Sequence, residues 1–251
     1  MKTNKLDRLD KITEYINQLE RVSTHDIAKK YDITEQTVRS DLNILENQGK
    51  IIRVHGGAKS LAVPDSFADR MTSNREEKKE IGKYAAKLIN NNDILFLDGG
   101  TSHLYLVDYL PFDKYITVIT ASLPIALKCS RLKNVHLFLL GGDFDQRTQQ
   151  FYGPRTIAGI EKMNINKAFI GVSSFQLARG FFENNTLTLT VKQKVIEQAG
   201  QVIILADSKK EEKMGIQQAF NKKDVDILIT GKKDRKNLEN LTDLPFKMIE
   251  I

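Results

Sequence analysis

The chain has 251 residues, with 38 Lys+Arg against 32 Asp+Glu for a formal charge of +6, 41% hydrophobic residues and one cysteine, Cys129. That composition supports a buried core and excludes an internal disulfide and a four-cysteine zinc site; no apolar run approaches the roughly 18 residues of a membrane span, and the charged start MKTNKLDRLDKITEY is no secretory signal, so a cytoplasmic protein of one small and one larger domain is expected. Only +2 of the charge lies in residues 1–60 and +4 in 76–251, so the basic excess is spread and does not by itself mark nucleic-acid binding. Residues 6–20 predict a helix, because Leu6, Leu9, Ile12, Ile16 and Leu19 recur at helical spacing between charges. Ser23 opens a second, short helix with Asp26 three residues on, as in a capping box. Thr34 caps a third, whose apolar stripe is Val38, Leu42 and Leu45, and Gly49 ends it. Residues 50–55 read as a strand that Gly56-Gly57 turns.

Helix, helix, tight turn, helix, basic strand and glycine turn is the order of a winged helix-turn-helix. A capped helix of about twelve residues fits the major groove of B-form DNA, and its N-terminal side chains reach base edges. The candidate DNA contacts are Ser23, Thr24, Thr34, Glu35, Gln36, Thr37, Arg39 and Ser40, with Arg53, His55 and Lys59 from the wing. Arg39 can bridge a guanine edge or clamp a phosphate. The alternative on pattern alone is a small helical bundle with no DNA role. The stretch VSTHDIAKKYDITEQTVRSDLNILENQGKIIRVHGG resembles the N-terminal signature of DeoR-type bacterial transcriptional regulators at Thr34, Thr37, Val38, Arg39, Asp41, Leu42, Leu45, Glu46, Gly49, Arg53, His55, Gly56 and Gly57. It departs at Ser40, where the family has a second arginine. The resemblance implies double-stranded operator DNA as a partner and a homodimer or homotetramer.

Residues 61–75 contain Pro64, lack periodicity and read as a linker between a DNA-binding domain at 1–60 and a second domain at 76–251. An amphipathic helix over 75–91 opens that domain. Apolar runs then follow at 94–97, 116–120, 135–140, 168–172, 202–206 and 227–230, with helical stretches at 103–110, 124–130, 154–163, 189–199 and 235–241. Continuous apolar strands separated by helices predict an α/β fold with a parallel sheet covered on both faces, and such folds bind ligands beyond the carboxyl ends of the strands. The first strand end, Asp98-Gly99-Gly100-Thr101-Ser102, is the most informative. Two glycines let a ligand approach the backbone, hydroxyls follow, and a helix start supplies free N–H groups. This is a phosphate cradle without Walker or G-x-G-x-x-G spacing. Ser122 begins another helix and can donate to the same anion. Read singly, each of these turns is an ordinary strand-to-helix connection; several on one sheet edge point to an anionic small molecule.

Successive segments DGGT-S, VITASLPIAL, LLGGDF, FIGVSS and ILADSKK are similar to motifs of the DeoR-type sensor domain, whose fold is similar to sugar-phosphate isomerases. The resemblance implies a phosphorylated-sugar effector. Asp98, Gly99, Gly100, Thr101 and Ser102 would line the phosphate loop, Ser122 the second loop, Gly141 and Gly142 the third, with Lys192 and Lys209 as basic side chains near the ligand. Departures fall at Ala121, Ser174-Phe175-Gln176, Thr188 and Lys210-Glu211. Among single residues, His103 follows the glycine loop and could touch an anion but reads first as a helix-surface histidine, and Cys129 reads as a buried inert thiol. The four histidines lack metal-ligand spacing, so no metal and no cofactor is expected. The leading function is a DNA-binding regulator, a repressor of a sugar-catabolic operon released by a sugar phosphate. The alternative is a sugar-phosphate isomerase-like enzyme with an added helical module, disfavoured because no carboxylate stands out as its base.

Overall fold

In the computed structural model, residues 5–60, 67–211, 215–233 and 244–251 are described, and the chain divides into two compact units, Met1–Arg70 and Met71–Ile251. The first contains α1 (Lys5–Leu19), β1 (Arg21–Ser23), α2 (Thr24–Tyr31), α3 (Glu35–Asn47), β2 (Ile51–Val54) and β3 (Gly57–Ser60). Leu9, Ile12 and Ile16 of α1 meet Ile27, Val38, Leu42, Leu45 and Ile51 in its core. The hydroxyl of Ser23 accepts the Asp26 N–H and that of Thr34 accepts the Thr37 N–H, so each satisfies a donor that a helix start leaves free. After α3 the chain reverses at Gly49, whose φ of 65° glycine adopts without a Cβ penalty. The strands form an antiparallel sheet in the order β1-β3-β2. Gly57 is required there, because a Cβ would overlap the Val22 carbonyl of β1. The segment expected as a linker contains α4 (Phe67–Thr72); six residues are too few to show a period in the sequence.

The second unit runs α5 (Arg75–Ala86), β4 (Ile94–Leu97), α6 (Thr101–Asp108), β5 (Ile116–Thr120), α7 (Leu123–Cys129), β6 (Val135–Leu139), β7 (Asp143–Asp145), β8 (Gln150–Tyr152), α8 (Pro154–Ile160), β9 (Ile165–Gly171), β10 (Ser174–Gln176), β11 (Gly180–Glu183), α9 (Thr186–Gln198), β12 (Ala199–Ala206), β13 (Gln217–Phe220), β14 (Ile227–Thr230) and β15 (Lys247–Glu250). Seven strands form one parallel sheet, β15-β14-β12-β9-β4-β5-β6, which includes all six expected strands plus β15. The inner strands are apolar on both faces, with Leu95, Phe96 and Leu97, Ala168, Phe169 and Ile170, and Val202 to Leu205 all buried. The edge strand β6 departs from the expectation of two covered faces, since Phe138 and Leu139 are exposed. Two antiparallel additions, the β7–β8 hairpin and the sheet β10-β11-β13, were not expected. The helix expected at 235–241 lies outside the described residues. Cys129 is buried, and burial pushes its thiol up to about 12.

From β4 the chain builds outward to β6, then returns to the other side of β4 and builds β9, β12, β14 and β15 outward. Strand order therefore reverses between β4 and β9. The carboxyl ends of strands at such a reversal are where open α/β sheets form a ligand crevice.

Candidate functional site

Asp98 follows β4 and stands at this reversal. Its buried carboxylate bridges the two strand ends: Oδ1 accepts the Gly99 N–H at 2.8 Å and Oδ2 accepts the Gly171 N–H at 2.9 Å. Lys192 of α9 reaches to 3.4 Å from Asp98 Oδ2 and pairs closely with Glu183 at the end of β11. Glu183 also accepts from the Ser173 hydroxyl and the Asn184 N–H. Burial would raise both carboxyl pKa values, but the Lys192 charge and the donated hydrogen bonds outweigh it and hold both below the usual carboxylate range. Burial likewise opposes the Lys192 charge, and the two carboxylates overcome it and raise its pKa. Two negative groups and one positive one are thus ionised together in the interior, leaving one excess negative charge.

His103 lies on the first turn of α6 and is 0% exposed. It is not the surface histidine expected from sequence, because α6 packs against both α5 and α7 and has little free face. Burial drives its pKa down to about 4; Asp98 opposes this, Lys210 and Lys192 reinforce it, and the Phe169 backbone pulls weakly the other way without a well-formed hydrogen bond. The ring is therefore neutral at pH 7, and neither nitrogen makes a well-formed hydrogen bond among the described residues. The ring sits directly over Gly100, where a Cβ would overlap Nδ1. Ser122, also 0% exposed, has no hydrogen-bond partner for its hydroxyl among the described residues. Polar atoms buried in this way are uncommon.

The remaining expected residues divide. Thr101 and Ser102 are buried at the start of α6 beside the turn. Gly141 and Gly142 lead from β6 into the β7–β8 hairpin, and the Gly141 carbonyl accepts from Thr156 at 2.8 Å. The hairpin brings Gln150 to Gly99, with Oε1 accepting the Gly99 N–H at 3.2 Å. Lys209 is exposed in the short turn after β12. The same turn directs Lys210 inward, and its ammonium donates to the Val172 carbonyl at 2.7 Å. Tyr152 donates to Thr148 at 3.0 Å and accepts from Thr188 at 3.3 Å, and the charges of Asp98 and Lys192 act on it. Glu183, Gln150, Tyr152 and Lys210 were all missed from sequence.

In the first unit, Gln36, Arg39 and Ser40 are exposed on α3 and His55 at the tip of the β2–β3 turn. Arg39 donates to Glu35 at 3.0 Å, and Glu35 is also 3.7 Å from His25. Arg53 folds back to donate to the Asn43 side chain. Thr34 and Thr37 share a hydroxyl–hydroxyl bond of 2.9 Å at the cap, and Ser23 donates to Asp26 at 2.6 Å. Two expected contacts are not presented at the surface. Lys59 is 1% exposed within β3, whose four residues are all buried. Thr24 is buried and donates both its N–H and its hydroxyl to the Gly56 carbonyl, at 2.7 and 2.9 Å, holding the wing turn. Asp41, part of the signature, accepts a two-point ion pair from Arg8 at 2.7 and 3.1 Å and ties α3 to α1.

A DeoR-like helix-turn-helix domain matches residues 8–63, and a DeoR C terminal sensor domain matches residues 73–232. The chain belongs to the DeoR family. It is a DNA-binding transcriptional regulator, and the isomerase alternative is set aside. This DeoR-family regulator is 34% identical to the HTH-type transcriptional regulator IolR of Bacillus subtilis, over 82% of this chain and 83% of that protein. It is 32% identical to the HTH-type transcriptional repressor GlcR of the same organism, over 94% and 92%. Among solved structures, ribose 5-phosphate isomerase A from Methanocaldococcus jannaschii matches 55% of each chain with a TM-score of 0.42 and 16% identity. Among the described residues of the regulator no helix is long and apolar enough to cross a membrane.

Proposed function

We propose that this regulator binds operator DNA through Gln36, Arg39 and Ser40 of α3 with Arg53 and His55 of the wing, and represses a sugar-catabolic operon until a phosphorylated sugar fills the crevice at Asp98. Residues 1–60 act as the DNA-binding part and 76–251 as the sensor. The protein works as a homodimer or homotetramer, since paired recognition helices about 34 Å apart read a near-palindrome. The observation that carries the effector half is the pair His103 and Ser122, whose buried polar side-chain atoms make no well-formed hydrogen bond among the described residues, together with the ionised trio at the reversal of strand order. The start of α6 favours an anion. Asp98 and Glu183 accept from sugar hydroxyls while Lys192 donates to them. Repression is supported by the name of GlcR, whose similarity spans nearly the whole chain.

A thermal-shift panel of phosphorylated sugars, paired with operator gel shifts, tests this. One compound is expected to raise the melting point, as a ligand of the folded state does by mass action, and to weaken operator binding. A panel with no stabilising compound, or a stabilising compound that leaves operator binding unchanged, overturns the reading.

A further inference from the structure

The glycine turn at the head of α6 is already occupied from within the chain. Gln150 is 5% exposed, and its side chain lies on Gly99 so closely that a Cβ there would fall inside the carboxamide. Its Oε1 accepts the Gly99 N–H at 3.2 Å, a bond that Gly99 shares with the shorter 2.8 Å contact to Asp98. The Gly99 glycine therefore serves an internal carbonyl oxygen in the position where an oxygen of an effector would meet the turn. Gln150 also pairs across an isolated bridge with Ser122, whose buried hydroxyl has no partner.

The element that delivers Gln150 is small. The strands of the β7–β8 hairpin have three residues each. Two backbone bonds tie the hairpin to the second loop, Phe151 N–H to the Ala121 carbonyl at 2.8 Å and Leu123 N–H to the Gln149 carbonyl at 3.1 Å. Short hairpins of this size are marginal on their own. A neutral carboxamide making a long, shared hydrogen bond is weakly held, whereas a phosphate oxygen forms charge-assisted bonds roughly twice as strong as neutral ones.

We propose that Gln150 is a plug on the effector crevice: its carboxamide holds the seat of an effector oxygen, and the effector binds by expelling it, gaining both the Gly99 N–H and the Ser122 hydroxyl. The plug rests on the reading of this crevice as the phosphorylated-sugar site. It makes the β7–β8 hairpin the element that changes between the two states.

Gln150→Ala and Gln150→Glu test this in the full chain, with melting curves to confirm folding. In Gln150→Ala, without added ligand, amide exchange at Gly99 is expected to accelerate. The affinity for inorganic phosphate and for members of a pentose and hexose phosphate panel is expected to rise; a plug seated nine-tenths of the time lowers apparent affinity about tenfold. Gln150→Glu places a carboxylate in the seat and is expected to weaken the same ligands. Sugar phosphates that bind wild type but bind Gln150→Ala no more tightly overturn the plug and leave the effector reading standing. Unchanged Gly99 exchange in Gln150→Ala also overturns the plug. A panel that binds neither wild type nor variants overturns both.

Discussion

Ser122 and Lys192 both belong to the proposed effector site, yet their removal should have opposite consequences. The Ser122 hydroxyl has no hydrogen-bond partner among the described residues, so Ser122→Ala loses no hydrogen bond and should not lower stability. Sugar-phosphate affinity, read by calorimetry, should fall; unchanged affinity removes Ser122 from the site. Lys192→Met instead leaves Asp98 and Glu183 buried without their cation. Breaking a buried pair in this way costs about 3 kcal/mol or more, so a chemical denaturation curve should shift strongly and loss of induction in this variant is no proof of ligand contact. His103 carries a pH signature. Its folded pKa of about 4 lies below the ordinary histidine value of 6.5, so the unfolded chain binds the proton first. The stability that the neutral ring contributes is complete above pH 6.5 and is lost as pH falls from there toward 4. Unfolding curves should therefore show a loss between pH 6.5 and 4 that His103→Gln reduces; an identical slope in the variant shows that other groups carry it. Asp98 was legible because its strand and glycine turn are contiguous in the chain. Glu183 and Gln150 were not, because tertiary pairing alone brings them to that turn. His103 was misread because its neighbours on α6 give no hint that every side is covered.

The helix α3 was legible for a local reason: Thr34, the apolar stripe and Gly49 all act within one stretch of chain. What the pattern did not show is that its polar face is already engaged. Arg39 is bonded to Glu35, one turn away and also exposed. An exposed pair of this kind is worth little to the fold. Glu35→Ala should thus free Arg39, remove a negative charge near DNA and strengthen operator binding in gel shifts, with almost no change in melting point. Arg39→Ala should weaken operator binding by about 1–3 kcal/mol; if it does not, α3 is not the reading helix. By contrast, the Arg8–Asp41 pair fastens α1 to α3 with the carboxylate buried, so a signature residue turns out to serve packing. The strands β7, β8, β10, β11 and β13 escaped the sequence reading because three or four residues cannot establish a period of two. The parallel strands were found because burial on both faces made them continuous apolar runs.

At the scale of the whole molecule, the proposed function sets two anion-binding tasks to a chain whose charge is +6. The total does little to explain either one. The first 60 residues carry +2, Lys59 is buried, and the ionised trio of the second unit has an excess negative charge. On that proposal local geometry does the work in both places: exposed Arg39 and the wing would meet phosphodiesters, and the glycine turn with Ser122 would meet a monoester. The two tasks are joined only if one ligand changes the affinity for the other. Allosteric coupling typically amounts to about 1–3 kcal/mol, or roughly 5- to 150-fold. Linkage requires that the factor be the same in both directions. If a sugar phosphate weakens operator binding by a given factor in gel shifts, saturating operator DNA should weaken that sugar phosphate by the same factor in calorimetry. Ser122→Ala should lower effector affinity with and without operator alike, since the hydroxyl has no protein partner whose loss would bias one state. An effector affinity indifferent to operator DNA, in a protein that the effector nonetheless clears from its operator, is incompatible with an equilibrium switch and would place the release in a step other than a change of state of the folded regulator.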